Sequence, residues 1–367
     1  MKIRWPGIKI LDRYIIGKFL STYFFAIAMI IVIVVIFDYV EKIDDFTSLK
    51  APLKAILFDY YLNFIPFFIN QFSGLFTFIA VIFFTSKMAY QTEIVAMLSG
   101  GMSFRRLMWP YFLGALIITS LSLTLNLWVI PVSQRSVVEF ESQYRQRRLS
   151  YQYDKHIYRQ VEPGVFAYVR GYTNRTGQAT FFALESYDGS TMTASLEAAE
   201  AKFNPETKRW TAPRYITRAF DSLGVETFSQ HRNLDTLINL EATELGRVNE
   251  LIQTMNITQL NEFLAQQRAK GSDSINIIEV ERHARFAYPL ATFILTLIGV
   301  SLSSRKVRGG TGLHIGIGTG LCFSYILFNR FFEEFAKSGT LPPGLAVWIP
   351  NIIYLGIAVY LYRKAPK

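Results

Sequence analysis

The chain has 367 residues, a formal net charge of +10 and one cysteine, and 51% of it is hydrophobic, most of that gathered into six long runs. A single cysteine excludes an intrachain disulfide framework, so any exported part must be held by its own core. The positive charge suggests a nucleic-acid surface until it is located: Arg135–Arg285 carries 19 basic and 19 acidic residues, so the excess belongs to the hydrophobic flanks, and nucleic-acid binding is excluded.

In chain order, the first charge-free run is Phe19–Phe37. It is longer than the h-region of a signal peptide, about 7–15 residues, and has no small-residue cleavage site after it, which predicts a retained span. Tyr60–Ser86 and Leu107–Gln134 follow, and after the long polar insert come Phe286–Ser304, Gly309–Asn329 and Ser338–Tyr362. Each is near the roughly 20 residues that cross a bilayer. Six membrane helices are predicted, arranged 3 + 3, over residues 1–134 and 286–367.

The insert, 135–285, reads mainly as strand. Alternating or β-branched runs stand at His156–Val161, Val165–Arg170, Thr180–Tyr187, Met192–Leu196, Ala198–Phe203, Arg209–Ala212, Val225–Phe228 and Leu234–Leu240. Turn signals such as Glu162-Pro163-Gly164 and Asp188-Gly189 separate them. Short strands at this spacing predict a sandwich or jelly-roll-like sheet. A helix over Gln259–Lys270, stopped by Gly271, leads back to the fourth span. The fold class is thus membrane α-helical with an inserted all-β domain.

An even number of spans puts both termini on one side. That side carries Lys2, Arg4, Lys9, Arg13, Lys18, Lys87, Arg105, Arg106, Arg305, Lys306, Arg308, Arg363, Lys364 and Lys367 against only Asp12 and Glu93. The positive-inside rule makes it cytoplasmic and exports the insert.

Catalysis finds little support. His156, His231, His283 and His314 are scattered without a metal-ligand spacing, and neither a nucleophile elbow nor a phosphate-cradling glycine loop occurs. His314 near the inner end of span five reads as a packed or interfacial residue rather than a ligand.

The loop between spans two and three is more informative. In it Ile94, Met97 and Leu98 recur at helical spacing, Gly100-Gly101 forms a stop, and Glu93 falls in the first turn, where the helix dipole favours a carboxylate. Such a short amphipathic helix either lies on the bilayer interface or docks into a partner's groove.

The 3 + 3 layout resembles the lipopolysaccharide-export permeases LptF and LptG, the YjgP/YjgQ family. The resemblance is carried by Leu11-Asp12-Arg13-Tyr14-Ile15, Thr92 through Gly100, Trp128-Val129-Ile130-Pro131, Ala201 through Pro205 with Arg209-Trp210, and Leu341-Pro342-Pro343. It covers essentially the whole chain, and the N-terminal motif is closer to LptG. It implies a permease subunit of an ABC-type exporter in the inner membrane of a Gram-negative bacterium. A second LptF/LptG-type permease would pair with it, an LptB-like cytoplasmic ATPase dimer would bind the ATP, and a periplasmic bridge protein like LptC or LptA would receive the lipopolysaccharide. The chain would be no enzyme and need no cofactor of its own.

By the same resemblance, Glu93, Ile94, Met97 and Leu98 match the ATPase-coupling helix, with Glu93 facing the ATPase. Ile33, Ile36 and Phe37 on span one and Phe323, Ile326, Leu327 and Phe331 on span five match the lateral gate and acyl-chain cavity, although lipid-facing or core packing suits such side chains equally. Lys42, Arg145 and Arg148 would meet lipid A phosphates; a solvated connector whose arginines pair with Glu139 and Glu141 is the competing reading. Asp38 stands where some members carry a lysine, and would oppose phosphate unless Lys42 takes over. Two other classes remain: a secondary transporter, disfavoured because charges sit at span ends, and a membrane-anchored lipid-binding or scaffold protein without transport activity.

Overall fold

The computed structural model describes residues 9–144, 157–173, 177–204, 206–220, 225–238, 240, 248–269, 272, 274–305 and 311–365. In chain order these form α1 (Ile10–Ser48), a π-helical stretch Ala55–Tyr61 running into α2 (Leu62–Tyr90), α3 (Glu93–Ser99), α4 (Phe104–Thr124) and a second π-helical stretch Leu125–Val129 that continues as α5 (Ile130–Tyr144). Strands β1 (Ile157–Glu162), β2 (Val165–Thr173), β3 (Gln178–Asp188), β4 (Thr191–Asn204), β5 (Arg209–Phe220) and β6 (Glu226–Leu237) follow. The chain closes with α6 (Val248–Gln253), α7 (Ile257–Ala269), α8 (Ile275–Ser303), α9 (Thr311–Lys337) and α10 (Pro343–Lys364). Two compact units result, Met1–Phe140 with Glu279–Lys367, and Glu141–Ile278.

In the helical unit, five helices among the described residues are long and apolar enough to cross a membrane: Ile10–Ser48, Ala55–Tyr90, Phe104–Glu141, Ile275–Ser303 and Pro343–Lys364. The remaining predicted span falls on α9, whose first turns include side chains outside the described ones. The first π-helical stretch carries the second span back to Ala55, ahead of its charge-free run, and α5 carries the third past Gln134.

Helix α2 organises this unit. Its Ala80, Val81, Phe84 and Met88 pack with Ile15, Phe19, Tyr23 and Ile27 of α1 and with Leu107, Tyr111 and Ile118 of α4. The four α1 residues recur every fourth position and so form one stripe. Phe78 and Ile82 of α2 instead join Leu295 and Ile298 of α8, Cys322 and Tyr325 of α9 and Tyr354 of α10. Glycines let these helices approach: a Cβ on Gly299 would lie 2.8 Å from Val81, and one on Gly114 or Gly318 would overlap Phe19 or Ile82. Polar side chains tie helices in pairs, Tyr23 with Ser73 at 2.8 Å and Tyr325 with Asn351 at 2.7 Å. Pro289 in α8 has no N–H for the Arg285 carbonyl one turn back, and the Asn126 amide donates to that oxygen at 3.3 Å instead.

The second unit contains one six-stranded antiparallel sheet in sequence order, an up-and-down meander. Among the described residues six strands stand where eight are predicted. The runs Met192–Leu196 and Ala198–Phe203 are one strand, β4, and Val225–Phe228 and Leu234–Leu240 fall largely on one strand, β6, while β5 extends past the end the pattern gave it; His156 lies outside the described residues. The cause is a crease across the sheet. Phe181 in β3 and Asn233 in β6 have left-handed backbones, with φ of 51° and 59°, and Pro213 sits opposite Asn233 where the β5–β6 ladder skips. Across the crease the inward side changes parity. In β3 it passes from Ala179 to Phe182, in β4 from Ala198 to Ala201 and Phe203, and in β5 from Trp210 and Ala212 to Tyr215.

The inward side centres on Trp210, fully buried and stacked on Phe182 at 5.2 Å between centroids. Its indole N–H donates to the Leu240 carbonyl at 3.0 Å. Tyr172 leans on the same indole, and burial pushes its hydroxyl up to about 12, so it stays neutral. Helix α7 falls on the predicted Gln259–Lys270, with Leu260 and Leu264 buried against Ile252 and Ile278.

Candidate functional site

The loop between the second and third long helices folds as predicted into a short helix, α3. Thr92 precedes it in a left-handed conformation with φ of 65°. At its end Gly101 takes φ of 86° and the Met102 N–H returns to the Met97 carbonyl at 3.2 Å, closing the last turn.

Its apolar stripe does not face outward. Ile94 is fully buried with Ile15, Phe19, Leu107 and Tyr111, and Met97 and Leu98 are half-buried against the same core. Ile94 therefore fills a groove in its own chain and is not offered to a partner. The face left exposed is Val95, Ala96 and Ser99.

Glu93 is likewise engaged within the chain. Its carboxylate accepts from the Tyr14 hydroxyl at 3.0 Å and from Lys18 Nζ at 3.4 Å, and the Lys18 ammonium lies 4.3 Å from the Tyr14 ring centroid. Next to it Arg106, in the first turn of α4, holds Asp12 through two bonds, Nη1 to Oδ1 at 2.7 Å and Nη2 to Oδ2 at 2.6 Å. Asp12 is 2% exposed and also accepts from the Lys9 N–H at 2.7 Å. The sequence had set Asp12 and Glu93 apart as the two acids in a basic surface; each is paired with one of that surface's cations. Tyr14, Lys18 and Arg106 carried no assigned role, because nothing local signals a partner 75 to 94 positions away.

Towards the other end of α1, Lys42 is buried. Its ammonium bonds Asp38 Oδ1 at 2.6 Å and the Tyr60 hydroxyl, and lies 4.7 Å from the Tyr60 ring centroid and 5.5 Å from that of Phe64. Asp38 also accepts from Tyr60 at 3.0 Å and Tyr61 at 3.2 Å. Asp38 is thus the counter-ion of Lys42, and the lysine can reach a phosphate only by leaving it. Arg145 and Arg148, with their neighbour Arg147, lie outside the described residues.

Between Ile27 and Lys42 no side chain of α1 is buried. Ile33, Ile36 and Phe37 are exposed there, as are Phe323, Leu327 and Phe331 on α9, while Ile326 turns into the core around Cys322. Helix α2 packs against both α1 and α9. Of the α9 glycines, Gly318 faces α2, whereas Gly312, Gly316 and Gly320 share the opposite, open face.

Among the described residues the histidines do not assemble. His231 stacks on Tyr215 in the sheet, the His283 ring lies beside Gly344, and His156 and the His314 side chain lie outside the described residues.

A family profile described as Lipopolysaccharide export system permease LptF/LptG matches residues 13–364, which includes both long-helix groups, α3 and the inserted sheet. No curated protein matches the chain. On that match over nearly its whole length, and on a helical membrane domain interrupted by an all-antiparallel β domain, the chain belongs to the LptF/LptG family of lipopolysaccharide export permeases.

Proposed function

We propose that this chain is the LptG-like permease of an ABC-type exporter that withdraws lipopolysaccharide from the inner membrane and passes it to a periplasmic bridge. The observation that carries the reading is α3, a short helix between two spans whose apolar side is already satisfied by its own chain and whose other face, Val95, Ala96 and Ser99, is open to a partner. A cytoplasmic ATPase dimer occupies that face and supplies the hydrolysis; the chain has no catalytic role and uses no cofactor of its own. Both termini and α3 are cytoplasmic and the β domain periplasmic, in line with the distribution of Lys and Arg.

A second permease of the same family sits against the exposed flank of α1 and the open glycine face of α9, since small residues at every fourth position favour close helix contact. Acyl chains enter between Ile33, Ile36 and Phe37 on one side and Phe323, Leu327 and Phe331 on the other. Arg145 and Arg148 meet the phosphates, with Lys42 joining only if it parts from Asp38. Among the described strands β1 and β6 stand at the edges of the sheet, and at one of these two edges a bridge domain adds a strand.

The test is purification from native membranes followed by reconstitution. The reading expects a stoichiometric ATPase and a second permease, and ATP-driven release of lipopolysaccharide to a soluble bridge acceptor. A chain that purifies without either, or a complex that hydrolyses ATP without moving lipid, contradicts it.

A further inference from the structure

Two polar contacts join the N-terminal turns of α1 to the segment around α3. One runs from Glu93 at the head of α3 to Tyr14 and Lys18; the other runs from Arg106, just past its tail, to Asp12. The α3 segment is therefore gripped at both ends by the same helix. The Asp12 pair is the stronger of the two. It is bidentate, and its carboxylate is almost wholly removed from solvent. Ile15 and Phe19, on the same turns of α1, pack around Ile94 between the two grips.

Helix α1 is 39 residues long in all and contains no proline, so a displacement imposed on its first turns is carried along its whole length. Beyond Ile27 it has no buried side chain until Lys42, so its middle is free to follow.

We infer that Asp12, Arg106, Glu93, Tyr14 and Lys18 form a clamp that makes α3 and α1 one moving part, so that a push on α3 opens the flank of α1 at Ile33–Phe37. This rests on the reading of α3 as the seat of the ATPase. These are positioning residues: they touch neither nucleotide nor lipid, and act by transmitting displacement.

The test uses the complete complex in proteoliposomes, comparing the wild type with Asp12→Asn, Arg106→Ala, Lys18→Ala and the exchange Asp12→Arg with Arg106→Asp. ATPase binding and hydrolysis should remain near wild type, while lipopolysaccharide released per ATP falls about tenfold for Asp12→Asn and Arg106→Ala, the scale of a coupling free energy. Lys18→Ala should have a smaller effect, and the exchange should restore most of the ratio. A release-to-hydrolysis ratio unchanged in both single variants overturns the clamp. So does a parallel fall in hydrolysis and release that the exchange does not rescue, which is the mark of a merely structural pair. If no ATPase accompanies even the wild-type chain, the failure is instead that of the permease assignment, and the clamp falls with it.

Discussion

The carboxylate of Asp38 holds the ammonium of Lys42 at 2.6 Å, one helical turn further along α1, with both side chains drawn in against Tyr60. Removing one partner of a buried ion pair costs roughly 3–5 kcal/mol, because the other charge is left stranded. Asp38→Asn should therefore lower the thermal unfolding midpoint of the detergent-solubilised chain by several degrees. The double variant Asp38→Asn with Lys42→Met should recover most of that loss. Equal midpoints for single and double variants would show that the lysine is not confined by its acid.

Helix α3 separates folding from docking on its two faces. Ile94→Ala empties a fully buried site and should destabilise by about 2–5 kcal/mol. Val95→Glu, on the 47% exposed position beside it, should leave the unfolding midpoint unchanged while reducing recovery of the ATPase with the chain. Thermal shift and co-purification, read on the same two proteins, check this directly; the reverse pattern would place the docking surface elsewhere.

Trp210 offers a test confined to the β domain. Trp210→Phe keeps part of the stack on Phe182 but leaves the Leu240 carbonyl without its donor, a loss of about 1–3 kcal/mol. Trp210→Ala removes the stack as well and should cost about 3–5 kcal/mol. Near-ultraviolet circular dichroism followed through a denaturant series would order the two; indistinguishable variants would mean the indole is not the centre of this core.

The glycines of α9 divide in the same way. Gly318→Leu would overlap Ile82 of α2 and should prevent a stable fold, whereas Gly316→Leu points into open space and should leave the isolated chain intact. In the assembled transporter the second substitution should weaken pairing with the other permease, seen as free chain on size-exclusion chromatography. A fully assembled Gly316→Leu complex would remove that face from the interface.

Much of this architecture was legible in the sequence, since six charge-free runs and a neutral insert need only hydropathy and charge to read. The strand count was not. The pattern broke at Glu197 in β4 and between Phe228 and Leu234 in β6, and it stopped at Pro213 in β5; near each break the crease shifts the inward side within a continuous strand, so each break looked like a strand end. Helix α3 was placed by its spacing, yet which way its stripe faced depended on Ile15 and Phe19 from α1, almost eighty positions earlier. Asp12 was noticed as an exception to a charge pattern, and Asp38 as a departure from the lysine that some family members carry. Their partners lie across the fold in one case and within a turn in the other, and a list of charges distinguishes neither.

The crease in the sheet also governs which changes of length the β domain can absorb. Because β3, β4 and β5 each exchange their inward and outward sides at the same level, the two halves of every such strand are in different reading frames. Deleting Phe181 would merge the frames of β3 and cancel its bend, whereas deleting a residue in mid-half would turn the following side chains, Trp210 among them if the loss fell just before it in β5, from the core to the outside. Length variation in this domain is therefore confined to the hairpin turns, and the bend itself is inherited as a count of residues rather than as any one side chain.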